Sequence, residues 1–518
     1  MTDVILVGGG HNGLAAATVL ARRGLKTLVL EARPVVGGAA ITEELHPGFK
    51  VSTLAHAAQP AAGLLNDLRL ADHGLELIDP DPYLFAPLPD GRSVSIGRDV
   101  ETTARSIAAF STRDAGRYPE FCATLERIRS FVGELMSNTA PAIEEPSTAD
   151  LWSMLTTGLR FRALGKTDAY RLLRWAPMSV ADFVSEWFES EPLRAAIAAG
   201  GILGTSLGPR SAGSAAVLLM RLGAGDGRPR LVRGGLGSLT SALASAARAA
   251  GAEIRTHADV RRVDVSDGRA TGVTLTSGEV LQSKAVVSNA DPRRTLLGLV
   301  DPVELEPRFL ARVRNYRAAG TVAKINLALR ELPAFTACAN DPRALQGLIH
   351  IGPELDYLER AFDVSKYGAW SPRPYLEVTI PSLTDPTLAP AGAHVMSITA
   401  QYAPYRLRSA DWTDAGERFA DAVIDTLAGY APNVKASILH RQVITPVELE
   451  SRYGLTGGHI FHGELALDQL FAMRPLLGWA RYRTPISGLY LCGAGTHPGY
   501  GVCGLSGLNA AREILKDF

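Results

Sequence analysis

The stretch that decides the fold lies near the start of the chain, where Asp3-Val-Ile-Leu-Val7 runs into Gly8-Gly-Gly-His-Asn-Gly13. Residues 3–7 are a short apolar run rich in β-branched side chains, which predicts a buried strand. Residues 14–23 have helical character, and residues 26–31 predict a second strand that ends in an acid, Glu31. The order of strand, glycine turn, helix, strand and acid is the fingerprint of a dinucleotide site.

Each residue type in this fingerprint has a physical reason. Gly8 permits the tight turn, Gly10 lets the backbone approach a pyrophosphate, and Gly13 allows the helix to pack closely on the strand. The helix N-terminus offers unpaired N–H groups and the positive end of its dipole to the phosphates. Glu31, eighteen residues after Gly13, can accept hydrogen bonds from a ribose diol. The alternative is a tight turn without a ligand, which the flanking strands and the spaced acid disfavour.

A glycine pair, Gly37-Gly38, follows the acid by six residues. A second pair of residues without side chains allows a second approach of backbone to the same pyrophosphate. The alternative interpretation is a plain turn after the strand.

Two later segments repeat the alternation of strand, glycine loop and helix. Residues 489–492 predict a short apolar strand, which enters the glycine-rich loop 493–504 and then a helix over 505–516. In the middle of the chain, residues 231–239 lead into an alanine-rich helix, and alternating strands follow up to residue 291.

Composition bounds the class of protein. The chain has 518 residues, with 53 Lys and Arg against 53 Asp and Glu, and 46% of its residues are hydrophobic. That length predicts two or three domains, and a net charge near zero argues against nucleic acid as a partner. The four cysteines form no C-x-x-C pair and fit no zinc spacing, so we expect no metal site and a reducing, intracellular setting.

Two features of the sequence bear on the location of the protein. The first strand begins at residue 3, which predicts a chain without a signal peptide and a cytoplasmic location. Residues 195–220 are the most apolar part of the first inserted segment. They predict either a lipid-facing lip or tunnel wall for an apolar substrate, or a helix buried by packing. Composition leaves peripheral membrane contact and the oligomeric state open.

The glycine segments, together with residues 36–43, 47–49, 456–463, 468–471 and 473–475, carry a resemblance that spans nearly the whole chain. The chain resembles the FAD oxidoreductases of the phytoene desaturase type, and more closely the subgroup called pyridine nucleotide-disulfide oxidoreductase domain-containing protein 2. The resemblance implies an α/β fold: a discontinuous Rossmann-type FAD-binding domain with an inserted mixed-sheet substrate domain and a helical lid. The implied boundaries are 1–75, 228–300 and 480–518 for the FAD-binding domain, 76–227 for the helical lid and 301–479 for the substrate domain.

The resemblance also implies which residues contact FAD. The backbone at Val260 is expected at the adenine, and the C-terminal loop at the ribityl chain, with the following helix pointing its N-terminus at the flavin. The full set of expected FAD contacts is Gly8, Gly10, His11, Asn12, Gly13, Glu31, Ala32, Arg33, Gly37, Gly38, Ala39, Val260, Gly493, Ala494, Gly501 and Val502.

Four residues are candidates for proton transfer beside the flavin: His56, His459, His462 and Tyr500. For His459 and His462 the alternative is a structural hydrogen bond. At residues 54–56 the run Leu-Ala-His replaces the Gly-Pro-Ser/Thr run of the desaturases, which puts a polyene substrate in doubt.

The chain lacks the features of a disulfide reductase. It has no reactive cysteine pair, and Gly234-Gly-Leu-Gly237 continues without the third glycine of a second dinucleotide fingerprint. We therefore expect one dinucleotide, with dioxygen or a quinone as the electron acceptor.

The expected reaction is hydride transfer between a small apolar substrate, of isoprenoid or lipid type, and the flavin N5. Desaturation of CH–CH fits the family, and saturation or isomerisation fits the same residues. The alternatives are an amine oxidase-like flavoenzyme, which needs an aromatic cage or a carboxylate for its cationic substrate, and a non-catalytic FAD-binding scaffold.

Overall fold

A computed structural model describes residues 2–143, 146–338 and 341–518. Its strands are β1 (Thr2–Val7), β2 (Thr27–Leu30), β3 (Thr42–His46), β4 (Phe49–Ser52), β5 (Leu77–Ile78), β6 (Leu84–Pro87), β7 (Ser93–Ile96), β8 (Leu231–Val232), β9 (Glu253–Arg255), β10 (Val260–Ser266), β11 (Arg269–Leu275), β12 (Val280–Ser288), β13 (Val322–Leu329), β14 (Leu348–Ile351), β15 (Tyr375–Thr379), β16 (His394–Gln401), β17 (Ile438–Ile444) and β18 (Leu489–Leu491). Its α-helices are α1 (His11–Arg22), α2 (Ala62–Asn66), α3 (Val100–Ala108), α4 (Thr112–Ser137), α5 (Thr148–Ala163), α6 (Gly165–Trp175), α7 (Val180–Trp187), α8 (Glu191–Ala198), α9 (Ser214–Gly223), α10 (Leu236–Ala249), α11 (Pro307–Asn315), α12 (Leu355–Ser365), α13 (Trp412–Ala428), α14 (Val434–Ser437), α15 (Pro446–Tyr453) and α16 (Leu505–Ile514).

The first sheet gathers strands that are distant in sequence. Its order is β10-β11-β12-β1-β2-β9, and β18 pairs with β12. Strand β1 lies between β2 and β12 and is parallel to both, with Val7 beside Leu30 on one side and Ser288 on the other. Its apolar residues are buried, as expected of a parallel strand covered on both faces. The carboxyl ends of β1, β2, β12 and β18 therefore meet at one edge of the sheet.

The second sheet is mixed, with the order β17-β13-β16-β15-β14-β6-β7. Along its central strands apolar and polar residues alternate, so the two faces differ. One face carries Ile325, Val378 and Ile398, which share a core with Phe419 and Val423 of α13. The other face carries polar side chains and turns towards the first sheet's edge, where both contribute to one cavity. The predicted α/β class, with a Rossmann-type sheet and a second mixed sheet, is confirmed.

Residues 76–227 differ in one respect from the helical segment that the sequence predicts. Helices α3 to α9 lie here, but β6 and β7 come first and extend the second sheet through the pairing of β6 with β14. Most of residues 195–220 is buried by packing, with Ala195, Ala198, Ile202 and Val217 fully buried in the largest core. Leu203 of the same segment lines the cavity to which both sheets contribute.

A buried arginine holds two loops together between the sheets. Arg474 is fully buried, and its guanidinium donates to the carbonyls of Ala494 (2.8 and 3.1 Å), Phe461 (2.7 Å) and Glu464 (2.9 Å). Five N–H groups in a rigid fork suit this task, because one side chain satisfies several carbonyls of irregular backbone. Arg474 therefore fixes the C-terminal glycine loop to residues 461–464.

The substitution Arg474→Met should lower the free energy of unfolding by about 3 kcal/mol, because it leaves buried carbonyls unpaired. The measurement is the midpoint of urea unfolding, which should fall accordingly. The matched control is Arg343→Met, since Arg343 is exposed and pairs with Asp341 on the surface. We expect the control to unfold within about 0.5 kcal/mol of the parent. Equal midpoints for the two variants would contradict the bracing role.

Candidate functional site

The candidate site lies at the carboxyl edge of the first sheet, where four strands end together. Gly8 follows β1, Glu31 follows β2, Asn289 follows β12, and Cys492-Gly493 follow β18. In open parallel sheets this edge is where ligands bind, because the loops that leave the strands diverge there. Helix α1 also begins at this edge and directs its N-terminus into it.

Close packing at the edge depends on the absence of side chains. A Cβ on Gly13 would stand 2.4 Å from the carbonyl oxygen of Gly8, and a Cβ on Gly507 would stand 2.1 Å from that of Asn12. The first contact sets α1 against the turn after β1, and the second sets α16 against α1. The predicted role of Gly13 in helix packing agrees with this geometry.

The acid after β2 and the glycine pair both hold the first turn. The Glu31 carboxylate accepts from the backbone N–H of Gly9 (2.8 Å) and of Arg33 (3.0 Å). The Gly37 N–H donates to the Gly9 carbonyl at 2.9 Å, and a Cβ on Gly38 would stand 3.1 Å from the Cα of Gly10. Residues 31–38 therefore fold back onto the glycine turn, as the predicted second approach to one ligand requires.

A single cavity of about 530 Å³ joins this edge to the second sheet. Predicted cofactor contacts that line it are Gly8, Gly10, His11, Asn12, Glu31, Ala32, Arg33, Gly38, Ala39, Val260, Ala494, Gly501 and Val502. Predicted proton-transfer residues that line it are His56, His462 and Tyr500. Gly13, Gly37, Gly493 and His459 lie outside the lining: the glycines pack backbone against backbone just behind it.

The residues present fit FAD. Gly8, Gly10 and Gly38 offer backbone without side chains beside the N-terminus of α1, and no atom lies within 4 Å of where a Cβ on Gly501 would stand. Two imidazole nitrogens in the lining, Nε2 of His11 and Nδ1 of His462, are buried and have no partner within the described part of the chain. Buried polar atoms without partners are rare, so these two suit a polar ligand.

The second sheet closes the cavity with a polar surface. Lys324, Thr399 and Glu377 are paired neighbours across β13, β16 and β15, and Asn326, Ser397 and Thr379 form the next row on the same face. Lys324, Thr399 and Glu377 line the cavity. The alternation of polar and apolar residues over 322–329, 375–380 and 394–400 is typical of strands with one polar face. These polar residues were nevertheless not among the predicted site residues.

Lys324 is buried in this surface among neutral partners. Its Nζ donates to Ser397 Oγ (2.8 Å) and Thr399 Oγ1 (3.3 Å) and lies 3.2 Å from His56 Nδ1. Burial lowers the pKa of Lys324 to about 7, although the charge of Glu377 opposes the change. Near neutral pH this amine therefore exists in both its neutral and its charged form.

His56 links the loop after β4 to the same network. Its Nε2 lies 2.5 Å from Thr399 Oγ1. Burial, and then the charge of Lys324, hold the pKa of His56 well below its usual value, so the ring is neutral at pH 7. When Nδ1 accepts from Lys324, the ring proton resides on Nε2 and points at Thr399.

A buried ion pair stands at the far end of the polar surface. Arg221 Nη2 lies 3.2 Å from Glu377 Oε2, and both side chains line the cavity. The Glu377 carboxylate is thus already paired with a cation. Tyr500 lies nearby, with its ring 5.3 Å from that of Phe461, and burial raises its pKa to about 12.

The two histidines of residues 456–463 have different places. His459 Nδ1 accepts from the Phe461 N–H (3.2 Å) and its Nε2 lies 3.7 Å from Glu464. This ring is turned away from the cavity, so the structure does not bring His459 to the other candidates. His462 does reach the cavity, with a left-handed backbone (φ 59°), and burial lowers its pKa to about 4.

Metal sites and membrane spans are two further classes of feature that bear on function. Within the described ranges no group of His, Cys, Asp and Glu has the geometry of a metal site. No helix of these ranges is long and apolar enough to cross a membrane.

Comparison with protein families matches residues 13–515 to the family described as flavin containing amine oxidoreductase. The fold, the cavity and this match define a FAD-dependent oxidoreductase, which confirms the predicted enzyme class and cofactor. The chain belongs to the flavin containing amine oxidoreductase family.

Curated relatives agree with the resemblance seen in the sequence. Pyridine nucleotide-disulfide oxidoreductase domain-containing protein 2 of Rattus norvegicus is 39% identical, with 99% of this chain and 93% of the relative covered. One of the subunits of limonene dehydrogenase from Castellaniella defragrans is 29% identical over 99% and 94% of the two chains. A lycopene-forming phytoene desaturase of Paracoccus sp. is 27% identical over 99% and 97%.

Solved structures share the fold at low identity. An oxidoreductase from Methanosarcina mazei superposes with a TM-score of 0.63 at 16% identity, covering 99% of this chain and 100% of that one. Cyclohexylamine oxidase from Brevibacterium oxydans gives a TM-score of 0.59 at 17% identity, covering 100% and 99%.

The substitution Gly13→Val should weaken FAD binding at least about tenfold, because the new side chain would push α1 away from the turn after β1. The measurement is the dissociation constant for FAD added to the apoprotein, followed by flavin fluorescence. Gly158→Ala is the control, since nothing lies within 4 Å of a Cβ there. Unchanged affinity in Gly13→Val would overturn the assignment of this turn to the cofactor.

Proposed function

We propose that the chain dehydrogenates a C–H bond of a largely apolar, isoprenoid- or lipid-like substrate, with Lys324 as the proton acceptor. The observation that carries the proposal is the buried Lys324, which lines the cofactor cavity and has a pKa of about 7. No carboxylate in the part of the chain that the structure describes lies within ion-pairing distance of its Nζ, so the amine is free to gain and lose a proton.

The walls of the cavity support a substrate with an apolar body. Leu203, Ile460 and Phe461 line it, and so do Val322 and Leu348, which lie on the second sheet beside its polar residues. A molecule held between these walls would bury apolar area while its oxidised carbon faces Lys324. The polar surface also favours a polar group next to that carbon, because a pure hydrocarbon would desolvate Lys324 and Glu377 without replacing their hydrogen bonds.

The relatives support chemistry at carbon. The limonene dehydrogenase polypeptide and the phytoene desaturase both align over almost the whole chain. Their names describe removal of hydrogen from isoprenoid hydrocarbons. For this chain we accordingly propose oxidation of CH–CH to C=C.

The step balances in electrons and protons. FAD, when bound, would supply the acceptor for a hydride. The hydride would carry two electrons away from one carbon of the substrate. The neighbouring carbon loses a proton to neutral Lys324, and the C=C bond forms. His56 and Ser397 hold the Lys324 amine in place, and Thr399 keeps the His56 ring in one orientation. We propose dioxygen or a quinone as the final electron acceptor.

Amine oxidation is the second candidate, and one observation favours it. Phe461 and Tyr500 place two aromatic rings 5.3 Å apart in the lining, and aromatic faces attract a cationic amine. The charges argue the other way, because Glu377 is paired with Arg221 and Lys324 adds positive charge. Only a neutral amine would fit this arrangement.

Anaerobic mixing with candidate substrates separates the two functions. We expect oxygenated cyclic terpenes or isoprenoid alcohols to bleach the absorbance of the bound flavin, and aliphatic diamines to leave it unchanged. Bleaching by amines alone would replace the first proposal by the second. A flavin that no member of either panel reduces would contradict both.

The pH dependence of flavin reduction tests the role of Lys324. Because the acceptor must be neutral, the rate should rise with pH through about 7 and then level off. Lys324→Met should slow flavin reduction about 100-fold and remove the rise, and Lys324→Arg should do the same because its charge does not titrate. The control is Lys435→Met, which changes an exposed lysine paired with Asp425. A rise that persists in Lys324→Met would assign the proton to another group.

A further inference from the structure

Helix α5 turns an apolar face to solvent. Leu151, Trp152, Leu155 and Leu159 are 54%, 67%, 52% and 57% exposed. Residues at these spacings share one face of a helix. The inward side of α5 is occupied instead, with the Phe161 ring 5.8 Å from that of Phe131. On the next helix, α6, Tyr170 and Leu173 are also exposed.

The charges of the same two helices are arranged asymmetrically. Their acids point inward and are paired: Asp150 with Arg481, and Asp168 with Arg127 and Arg171. The outward cations include Arg162 and Lys166, which form no ion pair with any carboxylate that the structure describes. Arg162 lies on the same face as Leu151 and Leu155, because it is eleven and seven residues away from them. Among the residues that the structure describes, the exposed charges of α5 and the start of α6 that have no ion-pair partner are therefore positive.

We propose that the face of α5 formed by Leu151, Trp152, Leu155, Leu159 and Arg162, with the exposed Lys166 at the start of α6, docks on the surface of an anionic lipid bilayer. Leucine and tryptophan on one side of a helix, with basic residues beside them, are the pattern of helices that lie in the membrane interface. The cations match the negative surface potential of acidic lipids.

A second copy of the chain is the competing occupant. A two-fold axis near Arg162 would bring this cation against the same residue of the partner, where like charges repel, whereas acidic lipids attract it. The proposal is independent of the reaction above, because none of the residues of this face lines the cavity.

Flotation of the FAD-loaded protein with vesicles tests the proposal. We expect it to float with vesicles of phosphatidylcholine mixed with phosphatidylglycerol and to remain behind with phosphatidylcholine alone. In the triple variant Trp152→Gln, Leu155→Gln, Leu159→Gln, the fraction of protein that floats with the acidic vesicles should fall about tenfold. Arg162→Gln with Lys166→Gln should reduce binding to the acidic vesicles and remove its sensitivity to salt.

The matched control is a triple variant of equally exposed apolar residues elsewhere, Val280→Gln, Val303→Gln and Tyr367→Gln, which are 59%, 82% and 70% exposed. It should float as the parent does. Equal flotation of both triple variants, or no flotation of the parent, would overturn the proposal. So would a dimer in sedimentation analysis that the α5 variant abolishes, because the occupant would then be a second copy.

Discussion

The parallel pairing of β1 between β2 and β12 is the constraint on which the rest of the molecule depends. It brings the carboxyl ends of β1, β2, β12 and β18, at residues 7, 30, 288 and 491, to one edge of the first sheet. Helix α1 then passes so close to the turn after β1 that a Cβ at residue 13 would collide with the Gly8 carbonyl oxygen. This close approach requires a glycine at position 13. The second sheet lies over that edge, with its polar face towards the cavity. The buried amine of Lys324 is thus a consequence of where the first sheet ends.

The elements of the first sheet could be predicted from the sequence because their signals are local. The glycine turn, the acid at residue 31 and the C-terminal glycine loop each specify a backbone conformation without reference to distant residues. The apolar run over residues 322–329 likewise indicates a strand, with the bounds that β13 has. The helical pattern that begins at Tyr118 indicates α4, but this helix begins six residues earlier, since its Ser111 cap lies ahead of the apolar pattern.

The part of the site that was missed depends on register between strands. Lys324, Thr399 and Glu377 lie on three different strands and become one surface only through the pairing of β13, β16 and β15. In sequence each is a polar residue in an apolar strand, and nothing local says which strand lies beside it. His459 shows a different dependence on distant residues: its motif is recognisable in the sequence, but the direction of its ring depends on Glu464 and the buried Arg474. Side-chain direction within irregular loops is set by such long-range contacts.

The order in which the lining segments are made has a consequence for biogenesis. Ala494, Gly501 and Val502 lie in the same cavity as Gly8 and Gly10, so the cofactor needs both ends of the chain at once. A ribosome emits the N-terminal turn first, and residues 489–514 are the last of these segments to leave its tunnel. The nascent chain therefore carries an open half-site throughout synthesis, with β12 lacking its neighbour β18. A complete FAD site therefore requires the C-terminal loop, and a chain that has not yet made this loop carries only part of the lining.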